Sequence, residues 1–242
     1  MISRLIPICI VFFVLCPVTV SQGITSEHWL KMGEEFTQID SYKEALNAFN
    51  KSIELDPKSA IAWDDKAKVL QKMGMNNDSI KAYDKAIELA PKSALALIDK
   101  GNVLQDMELY NESIKAYNKA IEIDPRLALA WFNIGRALQS MGSYNESIKA
   151  YDKAIILDPG FKFAWNNKGK VLQDIGLYNE SINAYDRAIQ IDSRFILAFI
   201  NKGDALRDIG AYNDSIKAFD QALRIDQRLA LAWINVGNTL NQ

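Results

Sequence analysis

The chain has 242 residues, 49% apolar and 24% charged, with 28 Lys and Arg against 30 Asp and Glu for a net charge of −2. That much apolar material can fill a core, which excludes a disordered chain, and the near-neutral interspersed charge lacks the basic footprint that nucleic acid requires. Both cysteines, Cys9 and Cys16, lie in the first twenty residues and His28 is the one histidine, so the remainder offers no disulfide, thiolate nucleophile or multi-histidine metal site; no catalytic residue, metal ligand or cofactor is assigned.

Arg4 precedes an almost wholly apolar stretch, Leu5–Val20, that ends at Ser21, Gln22 and Gly23. This is the order of a secretory signal: basic start, apolar run, small-residue exit. Broken by Pro7 and Pro17, the run falls short of the ~20 residues that span hydrocarbon as a helix. Residues 1–23 therefore read as a signal peptide or, if uncleaved, an N-terminal membrane anchor, the chain's one contact with a membrane. Either places the rest outside the cytoplasm, secreted or anchored.

From Ser26 onwards one period governs the chain. Trp29, Trp63, Trp131, Trp165 and Trp233 are separated by 34, 68, 34 and 68 residues, with Leu97 and Phe199 filling the gaps in register. Pro57, Pro91, Pro125 and Pro159 keep the same step, as do Gly101, Gly135, Gly169, Gly203 and Gly237. The units span residues 26–59, 60–93, 94–127, 128–161, 162–195 and 196–229, with a partial unit at 230–242, so residues 24–242 form one repeat domain.

Each unit reads as two helices. In the fourth, Ala128, Trp131, Ile134, Gly135 and Leu138 recur at helical steps, Gly142 provides a stop, and Ser147, Ile148, Tyr151, Ala154 and Ile155 form a second stripe ending at Asp158–Pro159. Gly135 lies inside a helix, where glycine costs ~1 kcal/mol relative to alanine. Small residues in register on the second helix, such as Ser147 and Ala154, predict a close crossing there, with Trp131 plugging the space towards adjoining helices. A single hairpin cannot bury its apolar face, so the units must stack.

The segment Leu127–Gly160, with Trp131, Gly135, Tyr151, Ala154 and Pro159 at their relative positions, resembles the tetratricopeptide repeat, and the resemblance runs over residues 26–242. Leucine stands where that family often has tyrosine in the first helix (Leu104, Leu138, Leu172), and serine mostly replaces alanine early in the second. The resemblance implies an all-α fold, a right-handed α-solenoid of antiparallel helix hairpins, and a non-enzymatic concave groove that grips an extended peptide or partner protein.

Opposite the core stripe, the first helices leave an apolar row, Leu95, Ile98, Leu129, Phe132, Phe163, Leu197, Ile200, Leu231 and Ile234. Beside it runs an amide row, Asn133, Asn167, Asn201 and Asn235, extended backwards by Asp99 and Asp65, with Asn102, Arg136 and Lys170 adjoining. Amides offer donor and acceptor together and can pair with successive peptide groups, an arrangement similar to the asparagine ladder of the O-linked N-acetylglucosamine transferase repeats. The plainer alternative is that the apolar residues pack on the next helix and the asparagines fill solvated slots. Ile98 and Phe163 occupy places where the family's terminal-carboxylate clamp would want lysine, which argues against that mode.

Asn77, Asn111, Asn145, Asn179 and Asn213 each begin an N-x-S glycosylation acceptor. Each falls where a second helix starts, so capping of free helix amides is the expected structural cause, with glycosylation an addition open to an exported chain. Two other functions stay open: the repeat arm of a larger enzyme or envelope assembly, and a self-associating structural surface protein. The oligomeric state is open as well.

Overall fold

The computed structural model describes residues 25–240; residues 1–24, including the leader and both cysteines, lie outside the described residues, as does the side chain of Leu231. Among the described residues thirteen helices follow one another. The first helices of the units are α1 (Ser26–Gln38), α3 (Ala60–Lys72), α5 (Ala94–Asp106), α7 (Ala128–Ser140), α9 (Lys162–Asp174), α11 (Ile196–Asp208) and α13 (Ala230–Leu240). The second helices are α2 (Tyr42–Leu55), α4 (Asn76–Leu89), α6 (Tyr110–Ile123), α8 (Tyr144–Leu157), α10 (Tyr178–Ile191) and α12 (Tyr212–Ile225).

Local chemistry accounts for the boundaries. Ser59 Oγ and Ser93 Oγ accept from the amides of Ala62 and Ala96, capping α3 and α5. Gly142 adopts φ +74° after α7, and the Ser143 N–H returns to the Leu138 carbonyl at 2.9 Å, closing the helix end without a Cβ penalty. Asp40 and Glu108 hold the same left-handed conformation in units that lack the glycine. At the far end of α8, Asp158 Oδ1 accepts from the Gly160 N–H at 2.9 Å, an Asx turn with Pro159 at its centre that redirects the chain.

The interior glycines are explained by aromatic rings rather than by small residues. A Cβ on Gly135 would lie 2.6 Å from the Tyr151 ring, and one on Gly101 would lie 2.4 Å from the Tyr117 ring. Each ring packs against the first helix at its glycine and is fully buried. The small residues add a second tie: Ser147 Oγ donates to the Gly135 carbonyl at 2.7 Å, as Ser215 Oγ does to that of Gly203. Trp131 is half-buried and reaches two core clusters, one around Ile134 and Tyr117 and the next around Ala154 and Ala164, so it links neighbouring units as expected.

Successive hairpins stack side by side. First helices touch the first helices of the next unit, while second helices make no such mutual contact among the described residues. First helices therefore line the tighter, concave side, and second helices fan out on the convex side. The result is an all-helical α-solenoid.

Candidate functional site: the wall of first helices

Every 34 residues a side chain from the first turn of a first helix faces the concave side. Leu95 (66% exposed), Leu129, Phe163 and Leu197 form an exposed apolar row as the facing argument expects. Ile61, exposed in the same register one unit earlier, extends it and is legible from the same spacing.

Two expected members of the row are core instead. Ile98 is 1% exposed and packs with Tyr117 and Ile134; Ile200 is 4% exposed and packs with Phe219. They sit one turn further along, where the next first helix leans over them, while Ile234 on α13, with no following helix among the described residues, is exposed. Phe132, in the same register, is half-buried.

Phe132 belongs to an aromatic run that crosses units. Its ring lies 4.8 Å from that of Phe161 and 5.8 Å from that of Tyr151; Phe161 meets Phe163 at 6.3 Å, and Phe163 meets Phe195 edge-on at 5.3 Å. Lys162 lies over the rings of Phe163 and Phe195, at 5.2 and 5.1 Å. Facing on the helix alone did not reach Phe161 and Phe195, which stand just before α9 and α11; their mutual 34-residue spacing was the available signal.

Three of the four amides are engaged between helices. Asn133 is buried and donates from Nδ2 to Asn102 Oδ1 at 3.0 Å, the same oxygen that receives the Tyr117 hydroxyl at 3.0 Å. Asn201 Nδ2 donates to Asn166 Oδ1 at 2.9 Å, and Asn166 Nδ2 to Asn167 Oδ1 at 3.2 Å. Buried Asn235 donates to Asp204 at 3.3 Å. Asn133, Asn201 and Asn235 thus tie consecutive first helices together, because these helices approach closely on the concave side, while Asn167 accepts from its neighbour Asn166 on the same helix.

Charge along the wall is zoned. Burial raises the carboxyls of Asp65, Asp99 and Asp204 above the ordinary carboxylate range, with Lys68 opposing the shift at Asp65 and Arg207 at Asp204. Lys68 bridges Asp64 at 2.6 Å and Asp65 at 3.2 Å. Arg136 and Lys170, both exposed, place cations on the middle of the wall.

The five acceptor motifs have a different cause from the one expected. Asn77, Asn111, Asn145, Asn179 and Asn213 are exposed second residues of their helices, and the preceding cap positions make no side-chain cap hydrogen bond. The serine carries the structural role: Ser79, Ser113, Ser147, Ser181 and Ser215 are fully buried, and four donate to backbone carbonyls. No group of residues that would hold a metal ion occurs among the described residues, and no described helix is long and apolar enough to cross a membrane.

The tetratricopeptide repeat profiles match residues 27–59, 60–93, 128–161, 164–195 and 197–228, and a further TPR repeat profile matches 101–142. The chain belongs to the tetratricopeptide repeat family. This TPR chain is similar to solved TPR structures: MamA at 25% identity, over 67% of this chain and 95% of that one, with a TM-score of 0.62. YrrB, described as a TPR protein with an unusual peptide-binding site, is 24% identical over 77% of this chain and 96% of that one, with a TM-score of 0.59. PilF of Pseudomonas aeruginosa is 16% identical over 89% of this chain and 96% of that one, with a TM-score of 0.72. Among curated proteins no sequence matches the TPR chain. Family and fold support a protein-interaction scaffold.

Proposed function

We propose that the protein binds an extended segment of a partner polypeptide along the wall of first helices, as a non-enzymatic scaffold. The observation that carries this reading is the exposed apolar row Ile61, Leu95, Leu129, Phe163 and Leu197 on a continuous concave face. Exposed apolar side chains in a regular file cost solvation in the free protein and are recovered when a partner covers them. With three of the four amides engaged between helices, apolar side chains of the partner, rather than its peptide groups, supply the main contacts. Arg136 and Lys170 favour acidic residues beside them. The apolar leader at 1–23 supports a site of action outside the cytoplasm, which protease accessibility in intact cells of the native host tests.

A photo-crosslinking residue at Leu129 in the full chain is expected to capture a partner polypeptide in the native host. Replacing Leu95 and Phe163 with Asp is expected to abolish capture while far-UV ellipticity is unchanged. Capture that survives both substitutions overturns the reading.

A further inference from the structure

On the convex side, each pair of consecutive second helices flanks a valley floored by the first helix between them. Four of these valleys carry a lysine on the floor: Lys66, Lys100, Lys168 and Lys202. Three of the four are neutralised from within, by the aspartate sixteen residues earlier on the preceding second helix. Lys100 pairs with Asp84, Lys168 with Asp152 at 2.6 Å, and Lys202 with Asp186 at 2.6 Å.

The valley between α2 and α4 breaks the pattern. The residue sixteen before Lys66 is Asn50, and Lys66 makes no ion pair among the described residues. In the fourth unit Ile134 replaces the lysine and Asn118 the aspartate, while in the last Val236 stands sixteen residues after Asp220. Asn50 therefore stands where the other three lysine-floored valleys hold their aspartate.

The cavity there measures about 490 Å³, with Asn50, Trp63 and Lys66 in its lining and Lys81 and Lys85 along the α4 side. Its one lining carboxylate, Asp78, is engaged by Lys81 at 3.1 Å, and Lys85 turns to Glu88 at 2.8 Å. The Lys66 ammonium lies 4.9 Å over the Trp63 ring. Burial pulls its proton affinity down and Asp78 pulls it back up, so a carboxylate placed over it gains more than one placed over a solvated surface lysine.

We infer that the valley between α2 and α4 docks an acidic segment of a partner protein, whose carboxylate takes over Lys66 the place that Asp84, Asp152 and Asp186 fill elsewhere. A polypeptide is the source because the valley is an open trough along two helices. Lys81 and Lys85, four residues apart on α4, can exchange their surface partners Asp78 and Glu88 for further carboxylates of the same segment, which a small acid would leave unused. The site lies on the face opposite the apolar row and is independent of it.

The probe is a fluorescein-labelled peptide of alternating Glu and Gly, titrated into the full chain by anisotropy, with the Gln–Gly peptide and free glutarate as comparators. One equivalent of the Glu peptide is expected to bind. Asn50→Asp is expected to weaken binding at least tenfold without lowering thermal stability. Asn118→Asp, which adds the same charge beside Ile134, is expected to leave binding unchanged. Asp84→Asn, which frees Lys100 beside Lys115 and Lys119 of α6, is expected to raise the stoichiometry from one to two. Unchanged binding in Asn50→Asp, equal binding of the Gln peptide, or complete displacement by glutarate at peptide concentration would each overturn the inference.

Discussion

Gly135→Ala tests the central packing argument, since helix propensity and tertiary packing predict opposite signs. In an exposed helix the change would stabilise by ~1 kcal/mol. Here the new methyl would lie 2.6 Å from a fully buried ring whose hydroxyl donates to Gln139 at 2.9 Å, leaving the ring no room to retreat without losing that bond. Overpacking of this kind costs ~1–3 kcal/mol, and the displaced hydroxyl adds ~1 kcal/mol, so the net expectation is a loss of about 2 kcal/mol. The second unit supports the direction. Ala67 replaces the glycine there, and Tyr83, which faces it, is the buried tyrosine whose hydroxyl has no partner. For a chain of this size the loss corresponds to a fall of about 4–8 °C in melting temperature. Repeat arrays unfold less than cooperatively, so hydrogen exchange in α7 and α8 is the companion measurement. Gly237→Ala is the internal control: nothing lies within 4 Å of its would-be Cβ, and the change is expected to be neutral or stabilising. Gly135→Ala that melts at or above the parent temperature, as Gly237→Ala should, refutes the close-ring account.

Further outcomes follow from other contacts. Ile98→Ala, at a buried position, is expected to cost ~2–5 kcal/mol, whereas Leu95→Ala, one turn away and exposed, is expected to change the unfolding free energy from urea titration by less than ~0.5 kcal/mol and to act on partner binding. Asn145→Gln is expected to leave the melting temperature unchanged, since that side chain caps nothing, while Ser147→Ala removes the bond to the Gly135 carbonyl and is expected to cost ~1 kcal/mol. Burial pushes the Tyr151 hydroxyl from its ordinary 10 up to about 12. A raised folded-state value means this contribution to stability is intact below pH 10 and is lost as pH rises from 10 to 12. Tyrosinate absorbance from the buried tyrosines should therefore appear together with loss of helicity; ionisation near pH 10 with helices intact would contradict their burial.

Much of the architecture was legible in the amino-acid order because the signals are local and repeated. Trp131, Gly135, Gly142, Tyr151 and Pro159 each constrain the backbone within a few residues, and six copies in one register remove the ambiguity of a single hairpin. The starts of the first helices at Ser26, Ala60, Ala94, Ala128, Lys162, Ile196 and Ala230 coincide with the unit starts. The apolar row beginning each first helix was legible for the same reason, since helical periodicity alone carries it away from the core stripe.

Facing one turn further along was not legible. Leu95 and Ile98 are three residues apart and equally apolar, yet one is exposed and the other buried. The difference arises because each first helix leans on the next, a relation set by the stacking of hairpins and invisible within one helix. The same approach turns Asn133 and Asn201 into bonds between units, while the close crossing of α7 and α8 within one hairpin makes Ser147 rather than Asn145 the structural residue of its motif. Periodicity along a chain prescribes which helices form and how they pair with their immediate neighbours. Which polar groups remain free for a partner depends on distances between units, and those distances exist only once the hairpins have stacked.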